Sequence, residues 1–229
     1  VKIKLDGISY SYEKKNKVLK NITTSFDFGK IYLLFGKNGA GKSTLANILS
    51  GSILPTYGRV EFPEGLTEKN IGYQIQDFYS FPTLKTKEII SFWKKINRVS
   101  GLDEEVLRET LDINSILDKK VKSLSGGEAR SLSLFLVCLM EKDILILDEP
   151  FSGLDTKKKE EFSKEIRKIV AKNKLVLIIS HEVKGYEELF DYITIINQGE
   201  IKQVFETNKQ EKDELFSLIK NEVWGSEYL

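Results

Sequence analysis

Hydrophobic and polar positions alternate along the opening stretch VKIKLDGISYSY, residues 1–12, and again along VLKNITTSFDF, residues 18–28. A period of two gives each segment one apolar face, so both read as strands of an antiparallel sheet. KIYLLFG, residues 30–36, is apolar without alternation, which marks a strand covered on both faces. KSTLANILS (42–50) has helical spacing and is closed by Gly51; GRVEF (58–62) and KNIGYQIQ (69–76) read as further strands. From about Thr83 to Lys122 the texture changes. TKEIISFWKKINRV (86–99) and EEVLRETLDINSIL (104–117) carry helical spacing, and the region reads as a helical insertion. Strand–helix alternation resumes in DILILDEP (143–150), KKKEEFSKEIRKIVAKN (157–173) and KLVLIIS (174–180), the pattern of a parallel sheet with helices packed on it. DYITIINQGEIKQVF (191–205) predicts a hairpin with Gly199 in its turn, and KQEKDELFSLIKNEV (209–223) a last amphipathic helix.

Composition narrows the function classes. With 229 residues, the chain has room for one large domain or two unequal ones. Lys plus Arg (35) nearly balances Asp plus Glu (34), for a net charge of +1, which argues against a nucleic-acid partner. The local charge blocks, such as TKKKEEF, read as solvated helix faces. Cys138 is the sole cysteine, so an intrachain disulfide is impossible and a reducing compartment is expected. Within SLSLFLVCLM it reads as a buried, inert thiol. No stretch approaches 18 consecutive apolar residues, and the start lacks the apolar core of a signal peptide. The expectation is a soluble, intracellular protein whose membrane role, if any, comes through a partner.

Three short motifs carry chemistry. GKNGAGKS, Gly36–Ser43, fits the phosphate-binding loop GxxxxGK[ST], set between an apolar strand and a helix start as its mechanism requires. Its glycines let backbone N–H groups curl around phosphates, where the helix dipole adds positive potential. Lys42 would neutralise the β- and γ-phosphates, and Ser43 would offer its hydroxyl to Mg2+. ILILDEP, Ile144–Pro150, places Asp148 at the carboxyl end of a buried strand to hold Mg2+, directly or through water. Glu149 follows it, and adjacent carboxylates repel unless a cation or proton compensates, so a division of labour with Glu149 on the attacking water is natural. LSGGE, Leu124–Glu128, sets two glycines at the mouth of a helix, where each costs roughly 1 kcal/mol. They make sense if backbone N–H groups and Ser125 approach an anion closely, and a second anion site points to a second protein surface.

With these motifs in this order, the chain resembles the nucleotide-binding subunit of ABC transporters over nearly its whole length. That family runs Walker A, glutamine loop, helical subdomain, LSGGE signature, Walker B, D-loop and switch histidine. Gln76 in IGYQIQD falls at the glutamine loop, SGLD (Ser152–Asp155) at the D-loop, and His181, the sole histidine, at the switch position after its apolar strand. Tyr12 in SYSYEKK falls where an aromatic stacks on adenine, with Tyr10 as the alternative. The resemblance implies a fold with a P-loop NTPase-like, mainly parallel core, an N-terminal antiparallel β-subdomain and an inserted helical subdomain. Residues 1–76 and 123–229 would form the ATPase core and 77–122 the helical subdomain, continuing into the signature helix.

The same resemblance implies ATP and Mg2+ as cofactors. ATP would be held by Tyr12, Gly36, Asn38, Gly39, Ala40, Gly41, Lys42, Ser43 and Thr44, and across a dimer by Ser125, Gly126, Gly127 and Asp155. The metal would be held by Ser43, Gln76 and Asp148, and Glu149, His181, Gln76 and Lys42 would act in hydrolysis. The partners implied are an integral-membrane permease and a second ATPase subunit, identical or paralogous, on the cytoplasmic face of the cell membrane. The aromatic-rich stretch from Asp77 to Ser100, with Phe78, Tyr79, Phe81 and Trp93, would meet the permease, and some of these are expected to form an exposed apolar patch. After the signature, Arg130 stands one place early and Leu136 where importer subunits have a second arginine. The stretch after the last helix is too short for a regulatory domain of the sugar-importer kind, so none is expected, and both features incline the reading toward export or peptide resistance. The alternatives are a mechanical ABC ATPase acting on nucleic acid or ribosomes, and a module that keeps the fold without hydrolysis.

Overall fold

The computed structural model describes residues 1–12, 17–74, 81–97, 103–181 and 187–207. The alternating N-terminal segments form β1 (Lys2–Ser11) and β2 (Lys17–Asp27), which pair antiparallel. The continuous apolar run forms β3 (Ile31–Phe35), every residue of it buried, and the phosphate-loop sequence leads into α1 (Lys42–Leu49). β4 (Tyr57–Glu61) returns to pair with β1, giving a small sheet of order β2-β1-β4. β5 (Ile71–Tyr73) is shorter than the run KNIGYQIQ suggests: Lys69 and Asn70 belong to a 3-10 turn, and the last two residues of the run lie outside the described residues. Then come α2 (Thr86–Ile96), α3 (Glu104–Thr110), α4 (Gly126–Leu139), β6 (Ile144–Asp148), α5 (Thr156–Val170) and β7 (Leu175–Ser180). The hairpin of β8 (Tyr192–Asn197) and β9 (Glu200–Glu206) completes a six-stranded sheet of order β5-β6-β7-β3-β8-β9, antiparallel only at its last pair. The helix expected over 209–223 lies outside the described residues.

Alternate residues of β3 explain its lack of alternation. Leu33 and Phe35 join one core with α4 and α5, while Tyr32 and Leu34 join a second core with α1 and the antiparallel sheet. The large sheet is thus buried on both faces, and its strand ends are free to carry chemistry. Burial in the first core pushes the Cys138 thiol up to about 12, so it is inert as expected.

The helical region corrects one expectation. EEVLRETLDINSIL is not one helix: α3 stops at Thr110, Asp112 turns left-handed at φ 55°, and a short 3-10 turn spans Ile113–Ile116. A straight helix would swing Ile113 about 200° round from Leu111. The break lets Leu107, Leu111, Ile113 and Ile116 all enter one core. Ser115 secures it, donating N–H and Oγ–H to the Asp112 carbonyl at 3.2 and 2.7 Å. The ends of the region are stapled where Thr86 N–H meets Lys119 O at 2.9 Å and Val121 N–H meets Leu84 O at 2.9 Å.

Candidate active site

Three adjacent parallel strands deliver three of the motifs to one edge. β6, β7 and β3 lie side by side, with Asp148 paired to Ile179 and Phe35 to Ser180. Gly36, Glu149 and His181 each follow directly, so a loop near the start of the chain emerges beside two motifs more than a hundred residues further on, at the carboxyl edge of the sheet, the usual place for a site in such folds.

The loop after β3 is built around glycine. A Cβ on Gly36 would stand 2.2 Å from the Ile196 carbonyl oxygen, and Gly41, at φ 107°, would meet Leu19 Cδ2 at 2.7 Å. The hairpin turn braces the loop from below, Gly199 donating its N–H to the Ala40 carbonyl at 3.0 Å. Lys42 closes it: Nζ donates to the carbonyls of Gly36 (2.6 Å) and Lys37 (3.0 Å). Burial holds the pKa of Lys42 below the usual lysine value, while Glu149 and Asp148 pull it back up, so the ammonium lies in the field of both carboxylates. Lys37, Asn38, Gly39 and Ser43 are exposed, and Ala40 and Thr44 are buried. Tyr12 packs edge-on to Tyr10 (4.9 Å) and hydrogen-bonds Thr44 Oγ1 through its hydroxyl at 3.4 Å, with the residue 64% exposed beside the first turn of α1.

Asp148 and Glu149 sit in different surroundings. Asp148 is buried, and its N–H is taken by Gln74 Oε1 at 2.9 Å. Glu149 adopts φ 50°, a left-handed conformation rare outside glycine that costs of order 1 kcal/mol or more and clusters at functional sites. Its carboxylate accepts from Ser180 Oγ at 2.7 Å and from the His181 N–H at 3.0 Å, and it lies 2.6 Å from His181 Nδ1. The strand of LVLIISH thus locks His181 to Glu149. Gln74 and Ser180 escape a motif reading. Ser180 is signalled only by polarity at a strand end, and Gln74 only by the Q-x-Q run.

Among the described residues no cluster of three acidic, histidine or cysteine side chains is present, so a cation here would draw on few protein ligands. One buried carboxylate, one exposed hydroxyl and nucleotide oxygens suit a hard ion such as Mg2+. Gln76, the other candidate ligand, lies outside the described residues.

Two predicted elements stand apart from this cluster. Ser125 caps α4: its Oγ accepts from Glu128 N–H at 3.3 Å, and Glu128 Oε2 takes the Ser125 N–H at 2.9 Å. Lys119 meets Glu128 Oε1 at 2.6 Å and holds that carboxyl below its usual range. Asp155 caps α5, accepting the Lys158 N–H at 2.9 Å. Further away, Phe81 and Phe92 are partly exposed (40% and 43%) with rings 6.0 Å apart, and Ile96 is exposed. Trp93 instead anchors α2, donating Nε1–H to the Leu136 carbonyl at 3.0 Å. Phe78 and Tyr79 lie outside the described residues.

The family profile described as ABC transporter matches residues 19–152. The chain belongs to the ABC transporter family. Energy-coupling factor transporter ATP-binding protein EcfA2 of Staphylococcus saprophyticus is 29% identical over 87% of this chain and 77% of its own length. Molybdate/tungstate import ATP-binding protein WtpC of Methanocaldococcus jannaschii is 34% identical over 82% of this chain and 65% of its own length. A solved ATP-binding cassette dimer, in a post-hydrolysis state bound to ADP and Pi, matches the fold with a TM-score of 0.73 at 22% identity, covering 90% of this chain and 98% of its own. This ABC protein is an ATP-binding, ATP-hydrolysing transporter subunit.

Proposed function

We propose that two ATPase subunits, two copies of this chain or one copy and a paralogue, pack head to tail, each ATP lying between the phosphate loop of one and Ser125, Gly126 and Gly127 of the other. The observation that carries this is the pair of glycines. Gly126 and Gly127 have no positive φ, and a Cβ on either would meet nothing within 4 Å. The chain itself therefore supplies no reason for glycine at the exposed start of a 14-residue helix. Close approach of an external anion to the helix N-terminus does. The solved cassette of the same fold is a dimer bound to ADP and Pi, which is in keeping with a nucleotide-bound pair.

Within each site, the backbone of Gly36–Thr44 and the Lys42 ammonium hold the phosphates, and the exposed Tyr12 ring stacks on adenine. Asp148, Ser43 and Gln76 would hold Mg2+, which when bound supplies charge screening at the β- and γ-phosphates. Glu149, fixed by Ser180 and His181, orients and deprotonates the attacking water, while His181 contacts the γ-phosphate. Asp155, through the D-loop, completes the dimer contact. Residues 1–76 and 123–229 form the ATPase core and 77–122 the helical subdomain. That subdomain presents Phe81, Phe92 and Ile96, all exposed, to a membrane permease; of the four aromatics expected to meet it, only Phe81 is in this group, and Trp93 packs against the core. Among the described residues no helix is long and apolar enough to cross a membrane, so attachment on the cytoplasmic face would be peripheral. The import named for the molybdate/tungstate relative weighs toward uptake, against the lean to export drawn from the post-signature helix. Steady ATP hydrolysis by the purified chain, abolished in Glu149→Gln, tests the site. Hydrolysis at the parent rate in that variant would remove Glu149 as base.

A further inference from the structure

The ladder between β5 and β6 pairs Ile71 with Ile144, Gly72 with Leu145 and Tyr73 with Ile146. Gln74 continues it, donating its N–H to the Ile146 carbonyl at 3.1 Å. In a regular parallel ladder the next rung would run from the Asp148 N–H to the main-chain carbonyl of Gln74. Here the acceptor is the Gln74 side chain, whose Oε1 takes that N–H at 2.9 Å. The carboxamide stands in for a main-chain carbonyl just past the end of β5 at Tyr73. Gln74 is 3% exposed and Asp148 8%, so water has little access to make the bond in its place.

The consequence falls on the two carboxylates. Their consecutive N–H groups are gripped from opposite sides: Asp148 by Gln74 at the β5 side, and Glu149 by the Ile179 carbonyl of β7 at 2.8 Å. We propose that Gln74 is a positioning residue, its carboxamide fixing the main chain of Asp148 so that this carboxylate meets the nucleotide-bound Mg2+. The proposal rests on the reading of Asp148 as the metal ligand. Gln74 touches neither nucleotide nor metal in it, and acts only through the Asp148 backbone. Outer partners of this kind tune metal affinity by orienting the ligand.

The test is thermal unfolding of the full chain at saturating ATP, first with chelator and then with increasing Mg2+. Gln74→Leu keeps the volume and removes the acceptor. Its stabilisation by ATP in chelator should match the parent's, because the phosphate loop is untouched. Its Mg2+ concentration for half-maximal further stabilisation should rise about tenfold or more. Thr86→Val, which loses a buried hydroxyl bonded to Lys119 O, serves as control and should lower the melting temperature with an unchanged Mg2+ midpoint. Gln74→Met repeats the test if the leucine variant does not fold. A parent-like Mg2+ midpoint in the folded Gln74 variants overturns the proposal, as does failure of both to fold, which would make the residue structural. Asp148→Asn separates the levels. If it too keeps the parent midpoint, the metal reading itself fails; if it alone shifts, only the role of Gln74 does.

Discussion

Gly199→Ala should damage the nucleotide site from the far side of the loop. Gln198 and Gly199 form the two-residue β8–β9 turn with φ 50° and 78°, the pairing expected of a type I′ hairpin. A methyl on Gly199 would stand 2.2 Å from the Val18 carbonyl oxygen, 2.9 Å from its carbon and 3.2 Å from Leu19 Cα. All three are main-chain atoms of β2, so no rotamer change relieves the clash, and the turn must lift. Lifting breaks Lys20 N–H to Gly199 O (2.8 Å) and Gly199 N–H to Ala40 O (3.0 Å). A left-handed alanine costs about 1–2 kcal/mol, and two lost hydrogen bonds about 1 kcal/mol each, so the variant should lose about 3–4 kcal/mol. Gly65→Ala isolates the first contribution, because Gly65 has φ 81° and nothing within 4 Å of a Cβ. It should lose only about 1–2 kcal/mol in urea unfolding. Gly199→Ala should also weaken ATP binding, since Ala40 loses its anchor. Equal losses in the two variants, or unchanged ATP affinity in Gly199→Ala, would refute the bracing role.

His181→Ala should leave folding and ATP affinity intact while slowing hydrolysis by about 10²-fold or more; unfolding with unchanged turnover per folded molecule would make His181 a core residue. Phe81→Ser with Phe92→Ser should change stability by less than about 1 kcal/mol and spare hydrolysis by the isolated subunit, while abolishing co-purification with the membrane partner. Retained co-purification would move the docking surface elsewhere. Lys119→Met should barely alter stability, because its ion pair is part-exposed, but should weaken ATP-dependent dimerisation by leaving the Glu128 charge beside the nucleotide. Adding Glu128→Gln should restore dimerisation, since glutamine completes the same capping box. A double variant no better than Lys119→Met would defeat the charge argument.

What was legible in the sequence follows from how local each constraint is. The phosphate loop, the signature and Asp148–Glu149 are contiguous motifs whose strand and helix context is also local, so their placement could be anticipated. The bilateral burial of β3 was legible for the same reason, as an unbroken apolar run. Gln74, Ser180 and Gly199 were not, because each acts on a residue that only the sheet order brings near: Asp148, Glu149 and Ala40. The break at Asp112 was hidden by spacing that satisfies a helix locally. Only the shared core of Leu111 and Ile113 demands that the chain rotate there.

The shared ATP is tested most directly by the solution mass of Glu149→Gln with and without Mg-ATP. A monomer without nucleotide should double in mass with it, binding one ATP per chain. Adding Gly127→Asp, which sets a carboxylate at the mouth of α4, should abolish the doubling while leaving one ATP bound to each phosphate loop. A Glu149→Gln protein that binds ATP and stays monomeric, alone and when mixed with a paralogous ATPase subunit, or a doubling indifferent to Gly127→Asp, would contradict a nucleotide held between Ser125–Gly127 of one chain and the phosphate loop of another.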